Sequence, residues 1–198
     1  WPRTSCGRTA AGSYPNIPEL IQMAASLTDL TWEYERSLAY TESLVSDLSQ
    51  DEIHWRSGDD ASAIGWHLGH QAAVAHFMVR NLTSAEAPVD AELDSLMDSA
   101  TAERDRGALP DVSRLESYRS AVAERVRFNI CKIDSGNVGA PAQLRVIAHG
   151  LLIAVINHEY QHSKWIGEVR AEAHGKDMPG APVSEFLTEL DGYQVVHV

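Results

Sequence analysis

From about residue 141 to 173, apolar residues recur every three or four positions without interruption: Val146/Ile147, Leu151, Ala154/Val155, then Ile166 and Val169. A pattern of that period and length commits the segment to a long amphipathic helix. Two positions of the stripe that should be apolar are instead His158 and His162. Each lies seven residues after a core residue, Leu151 and Val155. A helix whose buried face carries two imidazoles one turn apart must be covered by partners that tolerate them. That requirement constrains the fold more than any other feature of the chain.

The partners are legible. Leu20, Met23, Leu27, Leu30, Tyr34, Leu38, Val45 and Leu48 predict a first helix over 17–49. After a turn at Ser57–Asp60, Ser62 is a candidate N-cap, and Ile64, Leu68, Ala75, Met78 and Leu82 predict a second helix over 62–82. Residues 83–110, acidic and broken by Pro88, Gly107 and Pro110, read as a crossover with one short helix around 89–103. Leu115, Tyr118, Val122, Val126 and Ile130 mark a third helix starting at Asp111 or Ser113. The expected architecture is all-α, a four-helix bundle with one long crossover connection. Its parts are an irregular segment at 1–16, the bundle at 17–174, and a C-terminal loop with a short helix near 184–190 at 175–198, ending in an extended run from Tyr193.

Charge and composition remove several classes of function. A net charge of −12 repels phosphate backbones and anionic membrane surfaces, so no nucleic acid and no membrane is expected as partner. No stretch approaches the ~18 apolar residues of a membrane span, and Trp1–Gly12 has no signal-peptide core. Cys6 and Cys131 are too few for a disulfide scaffold and read as free thiols, consistent with a cytoplasmic location.

The chemistry concentrates on histidine. Side chains at i and i+4 share a helix face, so His158 and His162 can reach one ion at ~2.0–2.1 Å. Left without ligands, two buried imidazoles would each need a polar partner or cost about 1–3 kcal/mol. The second helix supplies His67 and His70 among Gly65, Gly69, Ala72 and Ala73, small residues that permit close helix approach. Either could complete the set. Three imidazoles leave coordination positions for water or substrate. His76 falls on another face and is expected at the surface or bundle edge. Trp66 and Trp165 are candidates for pocket walls, and Arg119, Arg125 and Arg127 for binding an anionic group. Tyr160 and Gln161 flank the ligands and are expected to point away from the axis.

At these residues the chain resembles the DinB/YfiT-like superfamily of four-helix metal proteins, in Trp66-His-Leu-Gly-His70 followed by His158-Glu-x-x-His162. It is similar at the same places to the N-terminal domain of ergothioneine-pathway sulfoxide synthases, whose second large domain is not expected here. The resemblance implies His70, His158 and His162 as ligands, with His67 at a variable position. It implies one divalent ion, with zinc favoured over nickel or iron. It further implies a small-molecule substrate and a low-molecular-weight thiol such as mycothiol, bacillithiol or glutathione, used for S-transfer or isomerisation. Thirteen of the sixteen basic residues are arginine, a bias of GC-rich genomes that fits mycothiol better than bacillithiol. A homodimer is a candidate assembly.

Two other readings compete. One is a metal-binding bundle with no catalytic role, such as a stress-response protein. The other is a zinc hydrolase or peptidase, because His158-Glu159-x-x-His162 satisfies the zincin pattern, in which the glutamate is general base. The longer metzincin pattern fails at Trp165 and Glu168, although Glu185 or Glu189 would be a conceivable further ligand. On a bundle, Glu159 is expected to support a ligand or to face solvent.

Overall fold

The computed structural model describes residues 25–198. The expected segment 1–16, the start of the first helix at 17–24, and Cys6 lie outside the described residues. Among the described residues six α-helices follow one another: α1 (Leu27–Val45), α2 (Gln50–His54), α3 (Ile64–Val79), α4 (Ala91–Leu96), α5 (Val112–Asp134) and α6 (Pro141–His174). The long ones, α1, α3, α5 and α6, form the bundle. In it α1 lies along α6, and α3 packs against both α5 and α6.

Local chemistry explains most boundaries. Ser26 and Asp29 form a capping box at the start of α1. The expected continuous helix to residue 49 stops at Val45, because Ser49 and Glu52 form a second capping box that starts α2. Ser62 does not cap α3; its hydroxyl donates to Glu103 Oε1 at 2.6 Å, and Ala63 takes the cap position. The expected helix at 89–103 shortens to α4, capped by Asp90, plus one 3-10 turn at Glu103–Asp105. Pro141 opens α6 at its first turn, and Gly175 closes it with φ of 62°, a conformation glycine adopts without strain.

Two expectations are corrected. The segment near 184–190 is not a helix: Leu187–Leu190 (β1) pairs antiparallel with Tyr193–Val196 (β2). Between them Asp191 and Gly192 both have positive φ, the backbone of a tight hairpin turn. The hairpin rests on α6, and the Val196 amide donates to Asn157 Oδ1 at 2.7 Å. The core stripe of α6 also shifts. Val146 and Ile147 are exposed, and the buried face runs through Ala148, Leu152, Val155 and Ile156.

Helix α3 is apolar on nearly every side, and its neighbours bury most of it, including His76, although Phe77 near its end stays exposed. This burial overturns the expectation for His76, which is 1% exposed. Its Nδ1 faces Asp94 Oδ1 at 3.3 Å and its Nε2 faces Arg125 at 3.3 Å. Tyr160 likewise turns inward, buried, and donates to the buried Glu33 at 2.9 Å.

Candidate metal centre

Along α6, His158 and His162 lie between two parts of the core, after Ile156 and before Ile166. Helix α3 brings His70 against them, with ring centroids 5.2 Å from His158 and 4.9 Å from His162. One ring nitrogen from each of the three lies within 4.8 Å of the other two, a grouping able to hold a metal ion. His70 and His162 are buried, while His158 is half-buried.

Hydrogen bonding assigns the nitrogens. The Met97 carbonyl can only accept, so His70 Nδ1 carries a proton and donates to it at 2.7 Å. Nε2 of His70 is then left with its lone pair, the tautomer a metal ligand requires. His162 Nδ1 is 2.8 Å from His67 Nδ1, one of the two nitrogens donating to the other. Burial holds all four rings below the ordinary histidine pKa, His67 and His158 at about 4 and His162 at about 2. The imidazoles are therefore neutral at pH 7, as coordination demands. The residues present fit a divalent ion.

A pH dependence follows for the metal-free protein. Histidines with depressed folded pKa values take up protons more readily when unfolded, so they favour unfolding as pH falls below about 6.5. His158 alone should cost about 2 kcal/mol by pH 5, and the loss should continue toward pH 4. Thermal unfolding of the metal-free chain at pH 7 and pH 5 measures this. His158→Gln should remove part of the pH-dependent fall.

The crossover supplies the rest of the surroundings. Trp66 stacks on His70 at 4.5 Å with planes 13° apart, and the Arg106 guanidinium lies over the Trp66 ring, 4.0 Å from its centroid. Arg106 is fixed by the Thr101 carbonyl at 2.7 Å and by Glu103 at 2.5 Å. Trp165 meets His162 edge-on at 4.8 Å. Gly69 leaves room for Met97, since a Cβ here would come within 2.4 Å of Met97 Sδ and the methionine side chain would have to shift. A cavity of about 630 Å³ opens beside His70, lined among others by Val74, Phe77, Arg80, Asp94 and Met97.

The remaining candidates are occupied otherwise. Glu159 is 2% exposed, with its carboxylate bound by Arg119 at 2.7 Å and Thr41 at 2.7 Å. Arg119 also donates to the Leu68 carbonyl and Gln71 Oε1, both at 2.9 Å. Arg125 sits 3.6 Å from Glu86 and donates to the Ala87 carbonyl. Arg127 pairs with Glu35. Each of these arginines already faces a carboxylate. Sequence reasoning did not single out Met97 or Arg106. A backbone acceptor leaves no mark in residue type, and an arginine in the irregular stretch between Pro88 and Pro110 carries no periodic signal.

The family model of the DinB superfamily matches residues 33–166, a span that contains all three histidines. No curated protein matches the chain.

Proposed function

The chain belongs to the DinB superfamily, and we propose that it is a metal-dependent enzyme acting with a low-molecular-weight thiol. The reaction would be S-transfer to a small electrophile, or its thiol-assisted isomerisation. The observation that carries this reading is the convergence of three neutral imidazoles, one of which, His70, also lines a cavity of about 630 Å³. His70, His158 and His162 would hold the ion. A divalent ion bound by three neutral ligands keeps its full charge and favours a thiolate over a thiol in the remaining position. The protein's own part is to orient the imidazoles, keep them unprotonated and shield the site with Trp66 and Trp165. The apolar wall of Val74, Phe77 and Met97 suits a small organic molecule.

Glu159 argues against the peptidase alternative. A general base must be free to take a proton from the attacking water. This carboxylate is buried, charge-paired with Arg119 and hydrogen-bonded by Thr41. The bundle without a catalytic role remains the alternative to distinguish.

Titrating mycothiol, bacillithiol and glutathione into the cobalt-substituted protein tests the proposal. A sulfur-to-metal charge-transfer band with at least one thiol, and consumption of that thiol with an electrophile, is the expected result. An unchanged spectrum with all three thiols, and no consumption, leaves a metal-binding protein without thiol chemistry.

A further inference from the structure

We infer that His67, which stands outside the three-histidine group, is the positioning residue of the metal centre. It would fix the tautomer of His162 by accepting a hydrogen bond from it. The inference rests on the metal-binding reading above.

The argument starts from the nitrogen pairing. His67 Nδ1 and His162 Nδ1 are 2.8 Å apart, so one is protonated and the other is not. If His67 donates, His162 Nδ1 accepts, and the neutral ring of His162 must carry its proton on Nε2. That nitrogen then has no lone pair for a metal. If His162 donates, its Nε2 is bare and ready, and His67 must be the tautomer protonated on Nε2. Only the second arrangement is compatible with His162 as a ligand through the nitrogen that His67 does not occupy. His70 solves the same problem with the Met97 carbonyl, which can only accept. On His162 the corresponding acceptor is a second imidazole, which can hold its proton on either nitrogen.

The surroundings fix the His67 ring in place. It is 7% exposed, lies edge-on to Trp66 with centroids 5.2 Å apart, and sits 5.8 Å from Trp165. Helix α3 therefore contributes twice to the centre: His70 to the group itself, and His67 one turn earlier to hold His162. This explains why two histidines at i, i+3 both turn inward on a helix that needs only one ligand.

The test uses zinc as the probe. Dissociation constants are measured by competition with a chromophoric chelator for the unaltered protein, His67→Leu and His67→Asn. Asparagine can place an acceptor oxygen near the position of Nδ1, whereas leucine fills the space without one. Zinc should bind 10- to 100-fold more weakly to His67→Leu and within about threefold of the unaltered value to His67→Asn. Nitrogen-15 NMR of the unaltered zinc-loaded chain reads the tautomer without any substitution. His67 should be protonated on Nε2 and bare on Nδ1. Unchanged affinity in His67→Leu, or a proton on His67 Nδ1 in the zinc-loaded protein, overturns the inference while leaving the three ligands intact. An unaltered protein that takes up no zinc overturns the metal reading itself, and this inference with it.

Discussion

Single replacement of His158 or His162 by alanine is expected to lower metal affinity by at least about a hundredfold while the helical signal persists. The two residues are one turn apart on α6, with ring centroids 4.4 Å apart, and with His70 they make up the group able to hold a metal ion among the described residues. Loss of one leaves two imidazoles, fewer than a closed or an open protein zinc site uses. Outer partners of metal-binding histidines are already worth 10- to 100-fold, so removing a ligand should exceed that. The fold should survive. The core on either side is formed by Ile156 and Ile166, and neither histidine bridges elements by an ion pair. Elemental analysis and zinc competition give the affinity, and circular dichroism the helix content. Full metal occupancy in either variant would sink the site.

The fold was legible where one periodicity ran long enough to dominate. The four long helices follow from apolar stripes, because each stripe must be buried against another. Boundaries failed where short-range hydrogen bonds compete with that period. Ser49-x-x-Glu52 begins a helix inside a pattern that otherwise continues through Leu48. The C-terminal hairpin had a readable signal in Asp191-Gly192, flanked by two four-residue runs able to pair. A helical reading of Leu187–Leu190 overlooked it, since so short a run fits either period.

The candidate site was legible in its histidines for a different reason. Imidazoles on a buried stripe are conspicuous against Leu, Ile and Val, and spacing alone places His158 and His162 together. The misplaced residue, His76, shows the limit of that argument. Facing away from the bundle axis means exposure only if nothing covers that face, and here α4 and α5 bring Asp94 and Arg125 to it. Packing of the crossover cannot be read from periodicity, so the contacts of Met97 and Arg106 could not be either.

The largest stability effect should come from a residue that does not touch the histidine group. Arg119→Ala is expected to destabilise the protein by about 3–5 kcal/mol, because it leaves the Glu159 carboxylate buried without its counter-charge. The side chains of Arg119 and Glu159 are 13% and 3% exposed, so solvent cannot take over the lost interaction. The same guanidinium ties α5 to α3 through the Leu68 carbonyl and Gln71. Gln71 in turn donates to the Glu159 backbone carbonyl at 2.9 Å. One substitution therefore loosens α5 from α3 and α6, the two helices that carry the three histidines, at positions next to both His70 and His158. For a chain of this length the loss corresponds to a melting temperature lower by roughly 10 °C. Replacing both partners, as Arg119→Met with Glu159→Gln, should recover much of the stability, since no unpaired charge remains. Thermal and urea unfolding of the metal-free single and double variants measure the difference. If Arg119→Ala melts within about 2 °C of the unaltered protein, the buried pair does not hold these helices together.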